Sequence, residues 1–185
     1  MLTDEKITSN AQKYFEVGRK YDFMTDELIE FLGAEFVKAP NSTKTEYLGC
    51  FDGGLINHSL QVAKQMIIIN KTLSENKKLD EKSIMKVAFL HQIGKAKLFK
   101  ECKNEWQKTN QGKLYEYNND LISMRVSERS LYYILNNGVT LTELEYQAII
   151  NYDKPLDDIQ SKSHNGGLGR LLRIGNEMVE LGKSK

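Results

Sequence analysis

Only two cysteines, one tryptophan and three histidines occur in 185 residues. Cys50 and Cys102 are too few and too far apart for a thiolate metal motif, and they imply no disulfide framework. No apolar run approaches the length of a membrane span, so no membrane association is expected. The start, Met1-Leu2-Thr3-Asp4-Glu5-Lys6, has no apolar signal core, and a cytoplasmic protein is expected, in a cell, in a virus's host or in a virion. An excess of charge is missing too: 26 basic against 25 acidic residues leave a formal +1. No global field recommends nucleic acid, which is not expected as a partner, so binding must come from local geometry. Internal repeats and low-complexity tracts are also absent. The length is that of one domain able to bury a core without disulfides or metal, so a single domain over 1–185 is expected.

What the chain does have is helical periodicity. Residues 1–38 read as a helical extension in two pieces, split near Gly18-Arg19-Lys20-Tyr21-Asp22. From Thr25 to about Val37, Leu28, Ile29, Phe31, Leu32 and Phe36 fall on one stripe. Pro40, Gly49 and Gly53-Gly54 punctuate an ordered loop over 39–53. A long helix is predicted from Leu55 to Leu73, with His58 near its beginning. Asp80 can cap the next, which carries Ile84, Val87, Ala88, Leu90 and His91 and puts Gln92 toward its C-terminal end.

Aromatic and polar residues alternate around Asn110-Gln111-Gly112, which predicts a small β-hairpin insertion around 97–118. Its lysines with Trp106 and the tyrosines suit a hairpin with snorkelling side chains better than a nucleic-acid surface. Helices follow from Ser127 to Leu135, stopping at Asn136-Asn137-Gly138, and from a capping box at Thr140-Leu141-Thr142-Glu143 to about Ile150. A polar loop from Asp153 to Gly167 leads to the last helix, where Leu168, Leu171, Leu172, Ile174 and Met178 form the apolar side and Asn176 falls off its centre. The fold class is mainly α, a helical bundle with that hairpin inserted.

Four segments carry a family resemblance: Gly53-Gly54-Leu55-Ile56-Asn57-His58-Ser59-Leu60, His91-Gln92-Ile93-Gly94-Lys95, Ser127-Glu128-Arg129-Ser130, and Leu168 through Met178. Together with the loop Ala39-Pro40-Asn41-Ser42-Thr43, their order and spacing resemble the HD-domain metal-dependent phosphohydrolases of phage and Gram-positive type, over residues 38 to 180. The resemblance implies an HD-type bundle around a metal held by a histidine, a His-Asp pair and a distal aspartate. Two histidines match, as His58 and His91. The paired aspartate is replaced by Gln92 and the distal one by Asn176. Further family histidines align with Leu48, Val126 and Tyr152, and the third histidine of this chain, His164, stands at no obvious ligand position.

Those replacements bear directly on the chemistry. Two imidazoles and two carboxylates offer a metal two negative charges, whereas two imidazoles and two amides offer none. Amide oxygens supplement carboxylates in calcium sites and do not replace them. Without a firmly held metal, nothing lowers the pKa of a bound water near neutrality. No catalytic residue, metal or cofactor is therefore expected, and His58, His91, Gln92 and Asn176 are vestigial metal positions. Four carboxylates, Asp153, Glu128, Asp52 and Glu46, remain as possible rescuers, though a surface carboxylate is ordinarily just solvated. His58 and His91 have two readings, as satisfied core residues or as walls of a shared polar pocket.

The expected function is that of an inactive or impaired HD-domain protein. It would bind a nucleotide or other phosphate-bearing small molecule, a protein partner or a second copy of itself. His58, His91, Gln92, Lys95 and Asn176 would line the ligand site, with Lys95, and less so Arg125 or Arg129, facing the phosphate. Two alternatives stand. One is an active nucleotide phosphohydrolase using manganese or magnesium through an altered ligand set; the other is an assembly component of a phage particle. Fold resemblance alone does not decide among them.

Overall fold

Side-chain caps start most of the helices. Thr3 accepts from Lys6 N at the head of α1 (Asp4–Lys20), and Thr25 from Leu28 N at the head of α2 (Asp26–Leu32). A 3₁₀ turn over Ala34–Lys38 and a folded-back loop lead to α3 (Gly54–Thr72). Asp80 accepts from Ser83 N and begins α4 (Glu81–Leu90). After the insertion come α6 (Val126–Asn136), α7 (Glu143–Asn151) and α8 (Gly167–Leu181). The computed structural model describes residues 2–155 and 166–182, so His164 and most of the loop around it lie outside the described residues.

The chain is mainly α-helical, with one two-stranded antiparallel sheet among the described residues. α3 packs against α4, α8 and α1, while α7 joins α8, α6 and α4. Tyr14 of α1 stacks on Phe89 of α4 with ring centroids 4.6 Å apart, and its hydroxyl donates to the Phe89 carbonyl at 2.7 Å. Phe23, Leu28, Leu32 and Phe36 are buried in the same cluster as Leu55, Val62 and Met66 of α3. Residues 2–38 thus contribute to the core that holds α3 and α4 together. Full burial of each such side chain is worth roughly 1.5–3 kcal/mol.

Three local features differ from the sequence reading. The stripe that begins at Thr25 continues through Phe36, but the α-helix stops at Leu32 because Gly33 takes φ +69° and resets the backbone. The capping box of α7 is formed by Thr142 and Glu145, two residues beyond the predicted start.

In the insertion, β1 (Phe99–Glu101) pairs with β2 (Tyr115–Tyr117), Phe99 opposite Tyr117. Between them the expected turn at Asn110-Gln111-Gly112 is instead the end of a short helix, α5 (Glu105–Gln111). Asn104 caps it by accepting from Gln107 N, and Lys108 pairs with Glu105 at 2.9 Å and Glu101 at 3.1 Å. Gly112, at φ +59°, closes it.

Candidate functional site

α4 ends just where the sequence motif begins. His91 is its C-terminal cap, donating its backbone N–H to Val87 O at 3.0 Å, and a 3₁₀ turn over Ile93–Lys95 follows. Gly94 lets α6 press against this turn. A Cβ there would lie 2.7 Å from both Ser130 N and Val126 O. Ser130 stitches the contact: its Oγ accepts from Gly94 N and donates to the His91 carbonyl, each at 2.9 Å.

The structure brings four of the predicted residues together. His58 enters from the first turns of α3, His91 and Gln92 from the end of α4, and Asn176 from the middle of α8; all four are buried. Asn176 Nδ2 donates to Leu172 O at 3.0 Å, which turns Oδ1 toward the two imidazoles. That oxygen accepts from His58 Nε2 at 2.9 Å and lies 3.1 Å from His91 Nε2. Gln92 Nε2 is 3.4 Å from His58 Nε2 and 3.5 Å from Asn176 Oδ1. The ring centroids of the histidines are 6.1 Å apart.

Hydrogen-bonding roles fix the tautomers. A carbonyl oxygen only accepts, so His91 Nδ1 carries the proton that meets Ala88 O at 2.9 Å. The lone pair of neutral His91 is then on Nε2, facing the lone pairs of Asn176 Oδ1. His58 is protonated on Nε2, which leaves its Nδ1 buried without a partner. Burial is the main force holding both rings neutral, with His58 lowered to about 4, helped by the charge of Lys95, and His91 lowered to about 3, helped by His58. Tyr152 seals one side, its ring edge-on to His91 at 4.8 Å.

Lys95 is the fifth predicted residue, and it has a different role in the structure. Its Nζ donates to Gln92 Oε1 at 2.8 Å and to the carbonyl and Oδ1 of Asn41, both at 3.0 Å. An ammonium has three N–H groups, and all three are used. Burial lowers its pKa to about 8. Nothing in the sequence singles out Asn41 within Ala39-Pro40-Asn41-Ser42-Thr43; half of its contact to Lys95 is through the backbone, which leaves no trace in a motif.

This donor set does not fit a divalent cation. It offers imidazole nitrogens and one amide oxygen, no anion, and the second amide oxygen is already spent on a lysine cation. None of the four possible rescuers reaches in. Asp153 accepts from Ser127 N at 3.0 Å, Glu128 pairs with Arg125 at 2.7 Å, Asp52 accepts from the Tyr115 hydroxyl at 2.6 Å, and Glu46 pairs with Lys44 at 3.5 Å. Among the described residues, no group of three or more His, Cys, Asp or Glu side chains is arranged to hold a metal ion.

Lys95 and Asn41 separate this buried cluster from a cleft of about 700 Å³ between the 41–47 loop, the insertion and the start of α6. Phe99, Tyr117, Arg125 and Arg129 also line it, while His58, His91, Gln92 and Asn176 do not. Among the described residues, no helix is long and apolar enough to cross a membrane. No protein-family model matches the chain, and neither a curated protein nor a solved structure matches it.

Proposed function

We propose that this chain is a non-catalytic protein of HD-domain type, which keeps the bundle of a phosphohydrolase and acts by binding a phosphate-bearing small molecule. One observation carries the reading: the amides at the two positions where the resemblance asks for carboxylates are bonded within the protein. Asn176 Oδ1 accepts a hydrogen bond from His58, and Gln92 Oε1 accepts one from Lys95. Such a centre neither attracts a divalent ion nor supplies a hydroxide, because the charge that would hold the ion is missing and a lysine ammonium stands beside it. The same cluster supports a structural duty instead, tying α3, α4 and α8 at one point.

The test pairs elemental analysis of protein purified without chelator with turnover assays on a panel of nucleoside mono-, di- and triphosphates in manganese and in magnesium. Substoichiometric metal and no metal-dependent phosphate release are expected. Stoichiometric metal with metal-dependent hydrolysis would overturn the proposal.

A further inference from the structure

Among the described residues, the cleft beyond Lys95 contains a cation with no counter-ion. Arg129 is 5% exposed, its Nη2 donates to the Ile122 carbonyl, and its Nε has no acceptor. Among the described residues it forms no ion pair with any carboxylate. A buried guanidinium left in this state carries a desolvation cost that an arriving anion would relieve. Ser42, on the same cleft, has a buried Oγ that is also without a partner. Among the described residues lining the cleft, Asp153 is the one carboxylate, against the three cations Lys95, Arg125 and Arg129, and it is bonded to Ser127 N. Lys95 and Arg125 are bonded to Asn41 and Glu128, which makes Arg129 the group with most to gain.

Another part of the lining is suited to a hydrophobic body. Phe99 and Tyr117 meet edge to face with centroids 5.3 Å apart, and Tyr117 is 62% exposed on the cleft. Ile122, 82% exposed, forms an apolar lip on the same opening. Concave sites with a few polar groups set in apolar walls are the usual shape of small-ligand pockets.

We infer that the cleft between the 41–47 loop, the insertion and α6 is a binding site for a small phosphate monoester with an aromatic or apolar body, its phosphate drawn to Arg129 and its body laid against Phe99 and Tyr117. The site rests on the binding reading above, but it is a different place from the histidine cluster and needs no metal. Arginine provides a planar fork suited to a phosphate, which a lysine does not reproduce.

Calorimetric titration with phenyl phosphate, inorganic phosphate and phenol, all in EDTA, tests this. Phenyl phosphate should bind more tightly than inorganic phosphate, and phenol should show no saturable binding. Arg129→Gln should weaken phenyl phosphate at least about tenfold, with unchanged helical circular dichroism. Because Arg129 is buried and its variant could unfold, Ser123→Glu on the exposed cleft wall is the second variant, and it too should weaken the phosphate ligands. Tyr117→Ala should weaken phenyl phosphate and leave inorganic phosphate unchanged. Absence of binding by wild type, or affinity indifferent to a folded Arg129→Gln or to Ser123→Glu, would overturn the inference. Metal-dependent hydrolysis would sink the non-catalytic proposal yet leave this EDTA titration untouched, so the two failures are distinguishable.

Discussion

Lys95 Nζ donates to Oε1 of Gln92 at 2.8 Å, so the amide standing in the metal motif has its only oxygen committed to the protein's own cation. Gln92→Asp alone should form an ion pair with Lys95 and gain little metal affinity, since the new charge is neutralised as soon as it is made. Gln92→Asp with Asn176→Asp places a second carboxylate between the imidazoles, and the pair should bind zinc or manganese roughly 100-fold more tightly than wild type. Calorimetry on the three proteins checks it; equal affinities for wild type and the double variant would mean that the four side chains do not share one site.

Acid should unfold this protein early. Above about pH 6.5 both histidines are neutral whether the chain is folded or not, and folding is not linked to their protons. As the pH falls through 6.5, the unfolded chain takes up two protons that the folded chain refuses until about 4 at His58 and about 3 at His91. Stability should therefore drop by about 1.4 kcal/mol per pH unit for each histidine in that window. Asn176→Asp sets a carboxylate against both rings, raises their native pKa values and should flatten the slope. Urea titrations at a series of pH values measure both slopes, and parallel curves would refute the assignment.

Much of this fold was legible because helices with one apolar face announce themselves by period, and α3, α4, α6 and α8 all do. The small helix α5 was not, since its residues Glu105 to Gln111 carry no stripe and no buried side chain, and polar contacts such as the Asn104 cap and the lysine pairs hold it. The convergence of His58, His91, Gln92 and Asn176 was legible through motif resemblance. Asn176 looked off-stripe for a physical reason: its helix has a polar contact to make inside the bundle, and periodicity scores a buried amide as surface. The clamp of Lys95 on Asn41 and the edge-on seat of Tyr152 depend on how the loops close, which no local pattern records.

A second buried charge makes a stability prediction away from the site. Lys86 Nζ donates to Glu145 Oε2 at 2.9 Å and to Thr140 O at 3.2 Å, while Glu145 Oε1 accepts from Ser83 Oγ at 2.9 Å. Both side chains are nearly inaccessible, at 8% and 2%. Lys86→Met strands the carboxylate and should cost about 3–5 kcal/mol. The double variant with Glu145→Leu should cost clearly less than the two single changes added together, because neither charge is then left alone. Denaturant melts of the cycle give the coupling, and simple additivity would show the pair to be uncoupled.

Gly94 makes the sharpest packing prediction. Its hydrogen stands where a methyl group would press on Ser130 N and Val126 O at 2.7 Å, and both are backbone atoms that cannot rotate away. Gly94→Ala must push α6 off the turn that carries His91, and should destabilise by about 3 kcal/mol. Ser130→Ala leaves α6 in place but strands Gly94 N and the His91 carbonyl, each buried and each served by that one hydroxyl. Its cost should be about 2 kcal/mol. The two variants also differ in kind, since only Gly94→Ala moves the His91 backbone, so it alone should shift the His91 ring resonances strongly while Ser130→Ala leaves them near wild type. If the serine variant perturbed the ring as much as the alanine at Gly94 did, the hydroxyl stitch rather than the close backbone approach would be what positions the histidine.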